Sequence, residues 1–192
     1  MKIAIVSASH RKNSRSLEVA QWVSSALRSE GGGLEPVLFD LSQIEMPFWS
    51  EELWDPKSLS SRNWQPYREQ LLSCSGVVLI SPEWAGMIPP KLTNFLLSCS
   101  SQELAYKPSL LVGVSSGISG TYPVAQLRMS GSKNNQMVYL PDHLIVRHVG
   151  TEGALERLEP RLKFNLKILK KMAECLAQVR EKIDLSAYPY GQ

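Results

Sequence analysis

The stretch VSASHRKNSRSLEVA, residues 6–20, joins a short apolar run to a helical pattern, and this junction indicates the fold. The run that leads into it, Ile3–Val6, is apolar on both faces, which is typical of a strand covered on both sides. Apolar residues at helical spacing then mark a first helix: Leu17, Ala20, Val23 and Leu27. A buried strand that passes directly into a helix is the opening of an α/β unit.

The same alternation continues along the chain. Four more apolar runs predict strands: Pro36–Phe39, Gly76–Ile80, Ser109–Val114 and Leu144–Val146. Helical patterns lie between or after them: the end of a second helix at Tyr67–Cys74, then Leu92–Leu96, Val124–Met129 and a last helix at about 158–182. Short strand–helix connections predict an α/β fold with a parallel sheet, and five strands favour the doubly wound order 2-1-3-4-5 with helices on both faces. We expect one domain over residues 1–192, with 183–192 as a short tail.

One segment does not fit this alternation. Residues 44–64 are long and irregular and contain Trp49, Trp54 and Trp64. A segment of this length in a small domain is usually functional, so we expect either a lid or a contact between subunits.

Composition excludes several classes of function. Residues 157–182 hold eight Lys and Arg against three Asp and Glu, which indicates a solvated helix face and not a nucleic-acid-binding stripe. The three cysteines lack the spacing of a metal site, and we expect no metal. No apolar run has the length of a membrane span, so we expect a cytoplasmic protein with neither membrane nor nucleic acid as partner.

The loop after the first strand has the chemistry of a phosphate site. A helix N-terminus presents free N–H groups and the positive end of the helix dipole to an anion. Hydroxyl and guanidinium side chains add to them: Ser9, Arg11, Ser14, Arg15 and Ser16. The alternative is that Ser14 or Asn13 only caps the helix and that the arginines are surface charge. No G-x-G-x-x-G or G-x-x-x-x-G-K-[ST] motif is present.

Two more loops follow the third and fourth strands. The stretch ISPEWAGMIPPKLTNFL, residues 80–96, combines a fixed turn, an aromatic face and a glycine: Pro82, Glu83, Trp84, Ala85 and Gly86. The stretch VSSGISGTYP, residues 114–123, offers small side chains and free main chain: Ser115, Ser116, Gly117 and Gly120. Each alone could be an ordinary turn. Together, however, a phosphate-binding loop and two loops that could contact a planar ring, all at one sheet edge, are typical of a flavin mononucleotide (FMN) site.

These three stretches resemble the NADPH-dependent FMN reductase family, flavodoxin-like proteins that include quinone and azo-dye reductases. The first family motif, G-S-x-R-x-x-S-x-N/S, is matched at Ser9, Arg11, Ser14 and Ser16. The second, T-P-E-Y-N-x-S-x-P-x-x-L-K-N, is matched at Pro82, Glu83, Pro89, Leu92 and Asn94, with Trp84 in place of Tyr. The third is matched at Ser115, Ser116, Gly117 and Gly120. The chain departs from the family where Ala85 replaces Asn and where Leu97 and Ser98 replace an Asp-Trp pair.

The resemblance implies a flavodoxin-like fold with FMN as cofactor and NADPH or NADH as co-substrate. It implies an oxidoreductase that passes electrons to a flavin, a quinone or a similar small acceptor, in a homodimer or homotetramer. Because FMN carries the electrons, no catalytic side chain is expected. Trp49, Trp54 and Met87 are candidates for a wall of the acceptor pocket, although packing under the long loop explains them equally well.

Two alternatives stay open. A flavodoxin-type electron carrier would also bind FMN, but carriers usually present an acidic face and this chain has a pI of about 8.8. A flavin-less relative with a binding or regulatory role is the other.

Overall fold

A five-stranded parallel sheet forms the centre of the chain, in the order β2-β1-β3-β4-β5. The computed structural model describes residues 1–31, 33–185 and 187. The strands are β1 (Lys2–Ser7), β2 (Glu35–Asp40), β3 (Cys74–Pro82), β4 (Pro108–Val114) and β5 (Val138–Val146). Every neighbouring pair is parallel, so the predicted fold class and strand order are confirmed.

Among the described residues, six helices cover the two faces of the sheet. They are α1 (Arg15–Ser29), α2 (Leu59–Leu72), α3 (Pro90–Ser98), the short α4 (Ser101–Leu104), α5 (Thr121–Ser130) and α6 (Glu159–Lys182). Two 3₁₀ turns lie at Glu51–Trp54 and Glu156–Leu158. Buried residues of α1 and α6 pack on one face, and those of α2, α3 and α5 pack on the other.

The sheet separates two apolar cores because side chains alternate along each strand. In β3, Val77 and Leu79 face α2 and α3, whereas Val78 and Ile80 face α1 and α6. All four are at most 1% exposed. Complete burial of such a side chain contributes about 1.5–3 kcal/mol, so these double-sided strands favour the layered fold over an open sheet.

The second helix is longer than predicted. We expected irregular structure as far as Trp64, but α2 begins at Leu59 after Ser58, whose Oγ accepts a hydrogen bond from Ser61 N at 3.0 Å. Pro66 lies inside this helix and removes one backbone donor, which is why the sequence pattern does not show the helix. Trp64 is buried and packs on Phe95 with ring centroids 5.5 Å apart, so it belongs to the core and not to a lid.

The last strand is also longer than predicted. The apolar run predicts only its last three residues, but pairing with β4 begins at Val138. The register shifts between Ser109 and Leu111, and Pro141 lies in the extra length of β5. A proline in an edge strand is tolerated at such an irregularity. Arg128 Nη2 of α5 stabilises it by donating to the carbonyl oxygens of Leu140 and Pro141, at 2.7 and 3.0 Å.

The remaining boundaries agree closely with prediction, and α6 begins one residue after the expected start. The short α4 was missed, although Ser100 and Glu103 form a capping box at its start. The predicted tail, 183–192, lies partly outside the described residues, which omit 186 and 188–192. Among the described helices, none is both long enough and apolar enough to cross a bilayer.

Candidate functional site

The three predicted loops meet at the carboxyl edge of the sheet. Loop one (residues 8–14) follows β1, loop two (83–89) follows β3, and loop three (115–120) follows β4. These strands are neighbours, so the loops lie side by side. Backbone hydrogen bonds continue the sheet into them: Ala8 N donates to Ile80 O at 2.9 Å, and Glu83 N donates to Val114 O at 3.1 Å.

Loop one ends in a capped helix N-terminus. Ser14 Oγ accepts from Leu17 N at 3.2 Å, so the capping role that was the alternative interpretation is real. It does not exclude ligand binding, because a hydroxyl that accepts one hydrogen bond still has a proton to donate. Ser9 and Ser16 are each 2% exposed, and Ser9 Oγ accepts from Arg11 N at 3.3 Å. Loop one is therefore a compact turn lined by three hydroxyls.

The two predicted phosphate-binding arginines differ in the structure. Arg15 Nη1 lies 2.8 Å from the Glu18 carboxylate in an ion pair. Its guanidinium also packs on the backbone of Gly150, where a Cβ would lie 2.9 Å from the guanidinium carbon. Arg11 is exposed and has no ion pair within the described part of the chain. Of the two, Arg11 is free to reach a ligand.

The buried hydroxyl that precedes loop one suits a phosphate group. Ser7 is the last residue of β1 and is completely buried, yet its Oγ has no hydrogen-bond partner among the described residues. A buried hydroxyl without a partner is unusual, and a donor set of hydroxyls and helix amides suits phosphate oxygens.

Loop two contains a tight reverse turn. Trp84 N donates to Met87 O at 3.0 Å and Met87 N donates to Trp84 O at 2.9 Å. The two central residues, Ala85 and Gly86, have φ values of 49° and 76°. This is the geometry that favours Asn-Gly, so Ala85 adopts a left-handed conformation that is costly for alanine.

Hydrogen bonding decides which amides of loop two are available. Because Glu83 N and Trp84 N already have acceptors, they are not open to a ligand. Ala85 N and Gly86 N have no acceptor among the described residues. These two N–H groups are therefore the ones that loop two can offer.

Glu83 connects loop two to loop three. Its carboxylate accepts from Ser119 Oγ at 2.7 Å and from Gly120 N at 2.7 Å. Both of its oxygens are thus engaged by loop three. Glu83 holds the loops together and is not placed as an acid or base.

Loop one and loop two are connected by aromatic packing. The rings of His10 and Trp84 are 4.6 Å apart between centroids, at an interplanar angle of 76°. Edge-to-face pairs of this kind fix both rings. His10 therefore takes part in the scaffold of the site.

Glycine is required at one position of loop three and leaves space at another. Gly120 has a φ of 99°, and a Cβ there would lie 2.8 Å from Ile145. A Cβ on Gly117 would meet no atom within 4 Å, so the α-carbon faces open space, whereas its N–H donates to Ser115 Oγ at 3.1 Å. Ser115 and Ser116 lie in the same loop, as predicted.

A fourth segment, residues 147–153 after β5, was missed. His148 N donates to Gly117 O at 3.0 Å, and Val149 N donates to Ser115 O at 3.1 Å. Arg147 Nε donates to Ser119 O at 3.2 Å. The signal was present, because Gly150 and Gly153 follow a strand that ends at the same sheet edge. These hydrogen bonds hold loop three against the segment that follows β5.

The predicted residues of all three loops lie at one edge of the sheet. The three residues predicted to form a wall of the acceptor pocket do not all lie with them. Trp49 and Trp54 contact each other, with ring centroids 5.5 Å apart, and line a cavity beside α2 and α3. Met87 lies in loop two and is 54% exposed. Only Met87 of the three is thus part of the loop cluster.

Comparison with solved structures shows the same fold elsewhere. The flavoenzyme NAD(P)H:(acceptor) oxidoreductase FerB of Paracoccus denitrificans superposes with a TM-score of 0.73 at 17% identity, over 90% of this chain and 97% of that one. An oxidoreductase of Corynebacterium diphtheriae superposes with a TM-score of 0.66 at 13% identity, over 92% and 97%. At these identities the likeness is one of fold.

Comparison by sequence shows the family. An NADPH azoreductase of Bacillus sp. (strain OY1-2) is 28% identical over 123 residues, which cover 62% of this chain and 62% of that protein. The sequence pattern of the NADPH-dependent FMN reductase family matches residues 1–151, which include β1 to β5 and all three loops. The chain therefore belongs to the NADPH-dependent FMN reductase family.

Proposed function

We propose that this protein is an FMN-dependent NAD(P)H oxidoreductase that passes reducing equivalents to a flavin, a quinone or a similar small acceptor. The whole chain would act as one domain. The observation that carries the proposal is the meeting, at one sheet edge, of a hydroxyl-lined helix N-terminus with loop two, which offers free backbone amides, and with loop three, which Glu83 holds against loop two. Membership of the family supports it independently.

The chain's own residues would bind and orient the cofactor. The first-turn amides of α1, with Ser9, Ser14 and Ser16, would hold the phosphate, and Arg11 would neutralise its charge. Ala85 N and Gly86 N would donate to the polar edge of the ring. When bound, FMN supplies the chemistry of accepting and releasing a hydride.

The remaining residues would keep this arrangement in place. Glu83 ties loop two to loop three, and the His10–Trp84 contact ties loop two to loop one. Arg15, engaged by Glu18, would shape the site from the side and not contact the phosphate. No side chain is assigned as a general acid or base.

Absorbance titration tests the proposal. Purified protein should take up FMN, and anaerobic NADPH should then bleach the flavin band. Arg11→Ala with Ser14→Ala should weaken FMN by about a hundredfold or more, because the two contacts to a charged phosphate are each worth about 1.5–3 kcal/mol. Riboflavin has no phosphate, so its affinity should hardly change. Arg28→Ala, at the other end of α1, removes the same charge and serves as the control. Equal losses for FMN and riboflavin would refute the phosphate assignment.

Steady-state kinetics separates the enzyme from the alternatives. An enzyme oxidises NADPH repeatedly when a quinone is added, whereas an electron carrier alone does not. A colourless protein that takes up no FMN would favour the flavin-less alternative. The basic pI of about 8.8 continues to disfavour a carrier that docks through an acidic face.

We further propose a homodimer or homotetramer in the cytoplasm. Large apolar side chains are exposed in the segments that follow β2, β3 and β4: Phe48 at 86%, Met87 at 54%, Ile118 at 78% and Tyr122 at 64%. Apolar side chains gathered near one site support a subunit contact. Three free cysteines suit a reducing compartment. Sedimentation velocity of the wild type and of Phe48→Glu tests the assembly.

A further inference from the structure

A second concave site lies away from the three loops. A cavity of about 630 Å³ is bounded by the 3₁₀ turn Glu51–Trp54, by α2, by the end of α3 and by α4. We call it the tryptophan cavity. Trp49, Trp54 and Trp64 contribute to its wall. None of the residues that line it belongs to loop one, two or three. It is of the size that small-molecule ligands occupy in proteins.

Helix α2 directs both aromatic and charged groups into this cavity. Trp64 and Arg68 are four residues apart and so lie on the same face of the helix. Trp64 is 8% exposed, and its Nε1 has no acceptor among the described residues. A buried indole N–H normally has a partner, so this donor is left unsatisfied at the wall of the cavity, although the atom itself is closed to water in the free protein.

Arg68 is held rigidly at the wall of the cavity. Its Nε donates to Glu103 Oε1 at 2.5 Å, and its Nη2 donates to Gln102 Oε1. Its side chain is 35% exposed, whereas that of Glu103 is 2% exposed. A guanidinium fixed in this way offers its remaining N–H groups without further loss of conformational freedom.

The charge behind the wall is positive. Lys107, which is 1% exposed, and Arg180 both act on the same region as Arg68, and Glu103 is the carboxylate among them. Burial and the nearby Arg180 lower the pKa of Lys107 to about 8. Of the three cations only Arg68 lines the cavity, and with Lys107 and Arg180 behind it the positive charge exceeds the single carboxylate of Glu103, which favours an anion at this wall.

We propose that the tryptophan cavity binds a planar aromatic anion, an aromatic carboxylate or sulfonate. The ring would pack against Trp49 and Trp54, and the anionic group would accept hydrogen bonds from Trp64 Nε1 and Arg68. This goes beyond the proposed function, because the site shares no residue with the loops that would bind FMN.

Calorimetric titration with naphthalene-2-sulfonate tests the proposal, with neutral 2-methylnaphthalene as the matched probe. We expect saturable binding of one sulfonate per chain, and binding of the neutral probe weaker by about tenfold. Trp64→Phe and Arg68→Met should each weaken the sulfonate by about tenfold or more, because each removes a donor to a charged acceptor. Trp22→Phe, on α1 at the opposite face, is the control and should leave the affinity unchanged.

Several results would overturn the proposal. These are the absence of saturable binding, equal affinity for the neutral probe, or a sulfonate affinity that neither variant changes. Displacement of the sulfonate by FMN would assign the probe to the three loops. Loss of self-association in Trp64→Phe without sulfonate binding would show that a second copy covers the cavity. Should Arg68→Met fail to fold, Trp64→Phe decides, since it keeps the Arg68–Glu103 pair. FMN uptake is measured separately, so failure of the proposed function can be distinguished from failure of sulfonate binding in the tryptophan cavity.

Discussion

The two edges of the sheet differ in whether protein atoms satisfy the hydrogen bonds of their polar groups. At the carboxyl edge, Ala85 N and Gly86 N point to no protein acceptor, and Arg11 has no ionic partner among the described residues. At the amino edge, Lys107 Nζ donates to Leu71 O at 2.6 Å, and Glu103 accepts from Ser100 N at 2.6 Å. Open donors are available to a ligand, whereas closed ones tie helices together. A buried polar group therefore does not by itself indicate a functional site.

Conformational strain does not separate the two edges. Left-handed backbone occurs at the carboxyl edge at Asn13, Ala85 and His148, and at the amino edge at Tyr106 and Gln136, just before β4 and β5. Such backbone costs energy unless its surroundings impose it. What distinguishes the amino edge is buried charge that its neighbours satisfy. The two edges should therefore respond differently to substitution, one mainly in ligand affinity and the other mainly in stability.

The largest effect is expected at the amino edge. Glu103→Gln removes the negative partner of Arg68 and leaves buried positive charge, so the free energy of unfolding should fall by about 3 kcal/mol. FMN affinity should not change. Urea unfolding and FMN titration measure the two quantities. Glu174→Gln, which breaks the exposed pair with Lys171, should cost less than about 1 kcal/mol. A large loss of FMN affinity in Glu103→Gln would break the contrast between the edges.

The second prediction concerns pH. Burial first, and Arg180 next, lower the pKa of Lys107 from 10.5 to about 8, so the folded chain releases this proton at a lower pH than the unfolded chain. Between these values the unfolded state holds more protons, and this lysine makes stability rise with pH by at most about 1.4 kcal/mol per unit.

Lys107→Met should abolish that contribution. The difference in unfolding free energy between wild type and variant should shift in favour of the wild type as pH rises from about 8 to about 10. Burial raises the pKa of Tyr139, which is present in both proteins and cancels in the difference. Burial also raises the pKa of the Cys74 and Cys99 thiols, and Lys107 opposes that shift, so removing Lys107 raises both thiol pKa values further and acts in the same direction. Urea unfolding at each pH measures it, and a difference independent of pH would contradict the prediction.

At the carboxyl edge, Glu83→Gln should act mainly on the ligand. The amide can no longer accept at two oxygens, so the connection to Ser119 and Gly120 weakens. FMN affinity should fall by about tenfold while stability falls by only about 1 kcal/mol. A larger loss of stability with unchanged FMN affinity would show that this edge behaves like the other.

The smallest effect is expected at Ala85. Because its φ is 49°, Ala85→Asn should relieve strain in the turn and raise the unfolding free energy by about 0.5–1 kcal/mol. Thermal unfolding measures the change, and Ala154→Asn, at a buried position outside the turn, should destabilise the chain instead. A loss of stability in Ala85→Asn would show that the turn does not select its residues by backbone conformation.

Sequence patterns were reliable where one physical rule dominates. The apolar run of β1 and the helical spacing of α1 reflect burial on a strand and on a helix face, and both elements formed within about two residues of their predicted bounds. The start of α2 and the first half of β5 were missed because Pro66 and Pro141 break the local pattern. Packing of Trp64 and the carbonyl contacts of Arg128 compensate for those prolines, and such compensation is not local in sequence.

The sequence by itself determined the order of the strands and the placing of the three loops at one edge, because alternation of apolar runs with helices forces parallel strands to end together. Only the tertiary structure decided which groups in those loops are free. Arg11 and Arg15 both lie near the start of α1, but only Arg15 packs on the backbone of the distant Gly150. Similarly, the sequence places Glu83 among the cofactor-binding candidates, and only the structure shows that both of its oxygens accept hydrogen bonds from loop three. Hydrogen-bond partners come from residues distant in the chain, so no local pattern specifies them.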